Sequence, residues 1–324
     1  MPQELLVEIF SYLKCDYRLN CSTPAEAGLL ITHVCQQWRR IALSTPFLWD
    51  NISVCANRPD SVRKVQCVQA WLDRSGDCPL HVNVRLGRRR PHQGGWTALL
   101  DVLLPQSHRW RHAILRFPSE HEFSRVRNNL PLLESLELEV YDHSCRNPTD
   151  AFEIAPVLKH ISVEGRHGFW QASQALGKLP WTQLTSFDAS TCSWQLSLGL
   201  LQTMPNLVSF RACLYNGSQA PKQSPLRLPE LACLEVSSCE GIDHFFDLLE
   251  LPSLMTFKFH EQAAQSSTPW IPSLMRLIQR TSCSIRSLVL TVGNMTDQES
   301  LDELIRLCTD LEHLALERHS CPPR

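Results

Sequence analysis

The sequence predicts an α/β chain: a short all-α helical bundle followed by an irregular repeat solenoid with a parallel concave sheet. Three observations predict it. Residues 2–49 hold two amphipathic helical patterns closed by a tryptophan. A template of the form apolar-x-x-apolar-x-apolar recurs nine times between residues 110 and 316. Helical patterns fall between several copies of that template, as return segments between parallel strands must.

In the opening PQELLVEIFSYLK, Leu5, Leu6, Ile9, Phe10 and Leu13 are spaced one, three and four positions apart. That spacing gathers them on one side of a helix and leaves Glu4, Glu8 and Ser11 on the other. Pro2 sits where a first helical turn tolerates a missing N–H. A second helix is expected from Leu30, Val34, Trp38 and Ile41, ended by Thr45-Pro46 and anchored by Trp49. The intervening KCDYRLNCSTPAEAG is a polar loop, and Ser22 or Thr23 caps the second helix, with Pro24 in its first turn. Two short helices and a tryptophan make a core too small to be self-sufficient, so this unit is expected to complete its packing on a partner.

Next, SVRKVQCVQAWLDRSG places Val62, Val65, Val68 or Gln69, and Leu72 on one face, predicting a helix that ends near Gly76. Leu80, Val82, Val84 and Leu86 then alternate as in a strand. GRRRPHQGG is read as a solvated loop with a basic tip.

The template begins at residues 110, 133, 158, 184, 207, 231, 254, 285 and 311, so successive steps are 23, 25, 26, 23, 24, 23, 31 and 26. Only the 31-residue step breaks the period, and an insertion near 261–270 accounts for it. Return helices are expected at GWTALLDVLL, QASQALGKL (171–179), SLMRLIQRT (273–281) and QESLDELIRLC (298–308). The domain organisation that follows is 1–55 helical, 56–104 connecting helix, strand and cap, 105–318 repeat array, and 319–324 flexible tail.

Composition excludes several classes. Lys and Arg total 31 against 33 Asp and Glu, a balance that argues against general nucleic-acid binding. No apolar run approaches the roughly 20 residues of a membrane span. Glu4, Glu8 and Asp16 interrupt the N-terminal apolar pattern, so it does not read as a secretory signal. The fourteen cysteines form no CxxC pair, and Cys35, Cys67 and Cys233 lie within apolar patterns, as small buried hydrophobes do. Acceptor triplets at Asn20, Asn51, Asn216 and Asn294 carry little weight without an export signal. The expected setting is reduced and intracellular, cytoplasmic and/or nuclear. Neither Gly-x-Ser-x-Gly, Gly-x4-Gly-Lys nor His-Glu-x-x-His occurs. His319 and Cys321 sit in the tail, and no metal, cofactor or catalytic residue is expected.

The repeat template resembles the leucine-rich repeat, whose period is about 20–29 residues. The Asn or Cys of that pattern, three positions past the last apolar residue, is present only as Cys192 and Cys239, which implies an irregular array. The opening stretch resembles an F-box. Pro2, Glu4, Leu5, Leu6, Ile9, Phe10 and Leu13 match its first helix; Val34, Cys35, Trp38 and Arg39 match its Val-Cys-x-x-Trp-Arg; Thr45, Pro46, Leu48 and Trp49 complete it. Met1 stands where the family pattern has Leu, and the inter-helix loop is longer than in many members. The blend of F-box, LDRSG, CPLHV and HRW is similar to a group of fungal F-box proteins.

That resemblance implies a non-enzymatic adaptor, the substrate receptor of an SCF-type cullin-RING ubiquitin ligase. Pro2, Leu5, Ile9 and Leu13 would face a Skp-type adaptor. Leu6, Phe10, Val34, Trp38, Leu48 and Trp49 would form the F-box core. The repeats would hold a protein target. Outward positions bring Glu137, Glu139, Glu164 and Asp188 onto adjacent strands, an expected acidic patch for a basic segment of that target. The other readings are a repeat-based scaffold whose F-box is vestigial or ligase-independent, and a secreted repeat receptor.

Overall fold

The computed structural model describes residues 2–12, 26–56, 62–86, 97–117, 124–140, 150–165, 178–215, 225–238, 241–261, 270–292 and 297–318. It is a mixed α/β protein with a helical N-terminal region and parallel sheet. The chain divides into two compact units, Met1–Leu158 with Ala172–Pro180, and Lys159–Gln171 with Trp181–Arg324.

The first unit opens with α1 (Gln3–Ser11), α2 (Glu26–Thr32) and α3 (Gln36–Leu43), then a 3-10 turn at Pro46–Leu48. Leu6, Phe10, Ile31, Ile41 and Ala42 form its small core, with Val7, Trp38 and Leu48 packed against it. Phe10 and Trp38 meet edge to face at 5.1 Å. The second helical pattern is two helices, not one. α2 stops at Thr32, and Cys35 caps α3 by accepting the Trp38 amide on its sulfur at 3.4 Å. The break resets the helical register, so Leu30 and Val34, expected inside, are 66% and 59% exposed, and Ile31 takes the inward place.

From there the chain runs into β1 (Asn51–Ala56), α4 (Val62–Ser75), β2 (Leu80–Leu86), α5 (Thr97–Leu103), β3 (Trp110–Phe117) and β4 (Ser135–Val140). These strands lie in the order β1-β2-β3-β4, each pair parallel. α4 ends as expected, with Gly76 at φ +52°, a conformation that glycine adopts at little cost. β1 continues directly from the helical region and crosses the boundary expected at residue 55.

Trp49 joins the helices to α4. It is fully buried, its indole N–H donates to the Ala42 carbonyl at 2.8 Å, and its ring meets Trp71 edge to face at 5.0 Å. The Arg74 guanidinium lies 4.5 Å from the Trp49 ring centre. Arg109, in the 3-10 turn Leu104–Arg109, ties the end of α4 to the start of β3. It donates to Ser75 Oγ at 2.8 Å, to the Cys78 carbonyl at 2.9 and 3.1 Å, and to Gln106 at 3.2 Å. Burial holds its pKa below the ordinary value, against the pull of Asp77. Arg109→Lys keeps the charge and loses the planar fork, and is expected to cost about 1–3 kcal/mol in urea unfolding. Unchanged stability would show the fork to be dispensable.

The second unit holds β5 (His160–Gly165), β6 (Ser186–Ser193), α6 (Trp194–Leu201), β7 (Ser209–Tyr215), β8 (Leu226–Arg227), β9 (Cys233–Ser238), α7 (Ile242–Asp247), β10 (Leu249–Glu250), β11 (Thr256–Glu261), α8 (Trp270–Thr281), β12 (Ser287–Val292), α9 (Gln298–Leu307) and β13 (His313–Arg318). Its sheet runs β5-β6-β7-β9-β11-β12-β13, with each described pair parallel. β8 and β10 form a separate two-stranded ladder. All nine template copies correspond to strands, and from the second copy on each strand starts two residues after the template's first apolar residue.

The reason is a repeated backbone device. The carbonyls of Lys159, Thr185, Val208, Ala232, Met255 and Arg286 each accept two consecutive amides from the start of the next strand. Those carbonyls sit one residue past the template's first apolar residue, which the core fixes in place: Leu158, Leu184, Leu207, Leu231, Leu254 and Ile285 are buried. A buried side chain therefore sets each strand's register. Helices α5, α8 and α9 lie within or overlap their expected return segments, while 171–177 and the insertion residues 262–269 fall outside the described residues. α6 and α7 carry no sequence pattern long enough to announce them.

Candidate protein-interaction surfaces

Two regions present side chains that a partner can read. The first is the helical region. Of the fifteen large apolar residues exposed among those described, seven lie between residues 5 and 43, so apolar exposure concentrates here. On α1 the two faces separate by helical geometry: Leu6 and Phe10 point inward, while Leu5 is 50% and Ile9 44% exposed. Pro2 is exposed as well, and Leu13 lies outside the described residues. Thus Pro2, Leu5 and Ile9 are accessible. Of the residues expected in the core, Leu6 and Phe10 are in it, Trp38 and Leu48 pack on its edge, and Trp49 is buried beside α4. Val34 is corrected to the surface. Ile31 and Ala42, which sequence reasoning passed over, take its part; an apolar Ile next to Thr32 was the available signal.

The second region is the outward face of the second unit's sheet. Register aligns Asp188 with Arg211, Arg211 with Glu235, and Glu235 with Lys258, one per strand across β6, β7, β9 and β11. The signs alternate. Arg211 bridges Asp188 at 3.3 Å and Glu235 at 2.9 Å, and Lys258 reaches Glu235 at 3.5 Å. Burial lowers the Arg211 pKa, but the bonds and charges of Glu235 and Asp188 outweigh it and hold the guanidinium above its ordinary value. Above this ladder lies a concavity of about 740 Å³ lined by Asp188, Thr191, Arg211, Tyr215, Ser237 and His260, among others. A register shift between Ala189 and Cys192 bulges β6 at its rim. His260 Nδ1 is 2.9 Å from Thr291 Oγ1.

The expected acidic patch is altered by arginines. In the first unit, Arg116 bridges Glu137 at 2.7 Å and Glu139 at 3.0 Å. In the second, Asp188 is paired to Arg211, and Glu164 is half-buried on β5. The reason is cross-strand register: each arginine stands directly opposite or diagonal to the acids, 21 to 24 residues away in sequence. Each unit's outward face has mixed charge.

Burial pushes the Cys192 thiol up to about 12, with the Ser197 hydroxyl 2.8 Å away pulling the other way, so it stays protonated at neutral pH. Among the described residues no group of three or more His, Cys, Asp or Glu is placed to hold a metal, and no described helix is long and apolar enough to cross a membrane. His319 and Cys321 lie outside the described residues.

A mixed α/β protein with a partly exposed helical module at its N-terminus is the class these features define. A family model described as F-box-like matches residues 1–55, the stretch that forms α1 to α3 and nearly all of β1. F-box domains generally bind Skp-type adaptors, which gives an SCF-type adaptor role in general terms. No curated protein matches the chain.

Proposed function

We propose that the chain is a non-enzymatic substrate receptor of an SCF-type cullin-RING ubiquitin ligase, of the fungal F-box type, acting in the cytoplasm and/or nucleus. In this reading the F-box-like region docks on the Skp-type adaptor through Pro2, Leu5, Ile9 and Leu13. The parallel strands form a leucine-rich-repeat solenoid that holds a protein target. Its contribution to ubiquitin transfer is proximity: target and ligase are held together, so an encounter becomes effectively intramolecular.

The observation that carries the reading is the division of α1 within the F-box-like match, Leu6 and Phe10 buried and Leu5 and Ile9 exposed. The nearly constant template spacing and the register device support the repeat reading. Target contacts are assigned to the outward strand faces of each unit, Glu137 and Glu139 in the first and Glu164 and Asp188 in the second, each of mixed charge.

Affinity purification of the whole chain, with mass spectrometry of what accompanies it, is the test. A Skp-type adaptor is expected, lost on Leu5→Asp or Ile9→Asp while circular dichroism and thermal unfolding stay unchanged, because both side chains are already about half exposed. Target proteins should persist with those variants. Absence of any adaptor with the wild-type chain favours the scaffold reading, in which the repeats bind and the F-box-like region does not recruit a ligase.

A further inference from the structure

The last strand departs from the rule that the others obey. In β12, Leu288 and Leu290 are fully buried, and β13 places Leu314 and Leu316 directly beside them in register. Yet Leu314 is 41% and Leu316 43% exposed. Strand β13 lies at the end of the sheet order. Its core-facing leucines thus stand at an edge, where repeat arrays need a cap and where exposed strands recruit another strand.

We propose that the occupant of this edge is β13 of a second copy of the chain, joined antiparallel about a twofold axis at Ala315. The sequence His313-Leu-Ala-Leu-Glu-Arg318 is self-complementary in that register alone. Residues paired across an antiparallel ladder share a face, so a symmetric pairing must centre on a residue. Centred on Ala315, Leu314 meets Leu316 of the copy on the core face, and His313 meets Glu317 of the copy on the outward face. Centred on Leu316, Leu314 would instead meet Arg318 of the copy. Centred on Leu314, His313 would meet Ala315.

The backbone agrees. The His313 amide donates to the Arg286 carbonyl, toward β12. Backbone groups alternate sides along a strand, so those of Leu314 and Leu316 point to the free edge. Leu314 and Leu316 of the copy then exchange both N–H···O=C bonds, giving four in the symmetric pair. Ala315 falls at a non-hydrogen-bonded position, where the two strands approach most closely and a small side chain is needed. The imidazole and carboxylate of the His313–Glu317 pairs occupy non-hydrogen-bonded positions too, where opposite side chains interact most strongly. Such an interface is isologous and closes on itself.

Sedimentation equilibrium of the full chain reads the state directly, with twice the 37.0 kDa chain mass expected as concentration rises. Leu316→Pro removes an edge donor without touching the bonds to β12 and is expected to give monomer. Glu317→Lys sets a cation against His313 and weakens the dimer by roughly tenfold. Adding His313→Glu to Glu317→Lys swaps the pair and restores it. A wild-type chain that stays monomeric overturns the proposal, whether another chain or a further segment covers the edge. A dimer indifferent to Leu316→Pro and Glu317→Lys overturns it equally, and a charge swap without rescue overturns the register.

Discussion

Trp49→Ala is expected to lower the stability of the first unit by about 3–5 kcal/mol, the cost of removing a fully buried large aromatic side chain. Three losses combine. The cavity opens beside Trp71 and Arg74, which lose their ring contact. The Ala42 carbonyl near the end of α3 loses the indole N–H at 2.8 Å and keeps the longer bond from the Thr45 amide at 3.3 Å. The helical core of Leu6, Phe10, Ile31, Ile41 and Ala42 is too small to stand by itself, and Trp49 is its tie to α4. Urea unfolding followed by tryptophan fluorescence and circular dichroism measures the loss. On the proposed function the same variant also loses the Skp-type adaptor, because α1 can present Leu5 and Ile9 only while Leu6 and Phe10 are held. Trp49→Phe keeps most of the ring and lacks the N–H, and should cost about 1–3 kcal/mol, separating the packing from the hydrogen bond. Stability unchanged in Trp49→Ala would show that the helices do not depend on α4.

The second large effect is Phe246→Ala, in the other unit. Phe246 on α7 is fully buried and meets Phe257 at 5.7 Å and Phe259 at 6.3 Å, both on β11 and both near perpendicular. Phe245 is 6.1 Å away, and Phe259 packs in turn on Trp270 of α8 at 4.4 Å. One side chain therefore connects α7 to β11 in an aromatic chain that continues to α8. The expected loss is about 3–5 kcal/mol, with some of it from ring–ring geometry beyond buried area. The α7–α8 junction has a second clamp, Arg276 on both carboxylate oxygens of Asp247 at 3.1 Å, with Arg280 donating to the Phe246 carbonyl at 3.0 Å. The Arg276–Asp247 pair is exposed and contributes little without the aromatic core. Hydrogen exchange in Phe246→Ala should accelerate in α7 and β11 while α1 to α3 retain their protection. Uniform acceleration across both units would contradict the division of the chain into separate compact units.

Much of the strand pattern was legible because it rests on local spacing. The template LVSFRA, for example, names Leu207 as the residue that the core holds and Phe210 and Ala212 as the inward side chains of the strand, and all three are buried. On α1 the same is true of Leu6 and Phe10, since a single unbroken helix keeps one register from end to end. β1 left a readable trace in Ile52 and Val54, which alternate and are buried, but it lies where the helical pattern claims attention. Leu30 and Val34 were not legible. Their spacing is helical, but the chain turns between Thr32 and Cys35, and no pattern of period 3.6 survives an interruption. The arginine pairs were half legible. Columns of outward residues follow from the template, but whether Arg116 reaches Glu137 and Glu139 depends on side-chain direction and strand stagger.

By itself the sequence determined where the repeated strands fall, which of their side chains enter the core and which α1 residues stay exposed. These follow from backbone periods of 2 and 3.6, properties of a few consecutive residues. Only the tertiary structure decided that α2 and α3 are separate, that the outward acids carry arginine partners, and that Leu314 and Leu316 lie uncovered. The α2–α3 break is local, held by the Cys35 sulfur on the Trp38 amide, but the helical spacing of Leu30, Val34, Trp38 and Ile41 runs across it and hides it. The other two depend on groups about 20 or more residues distant or on a neighbouring layer, which set exposure and ion pairing where the local chain does not.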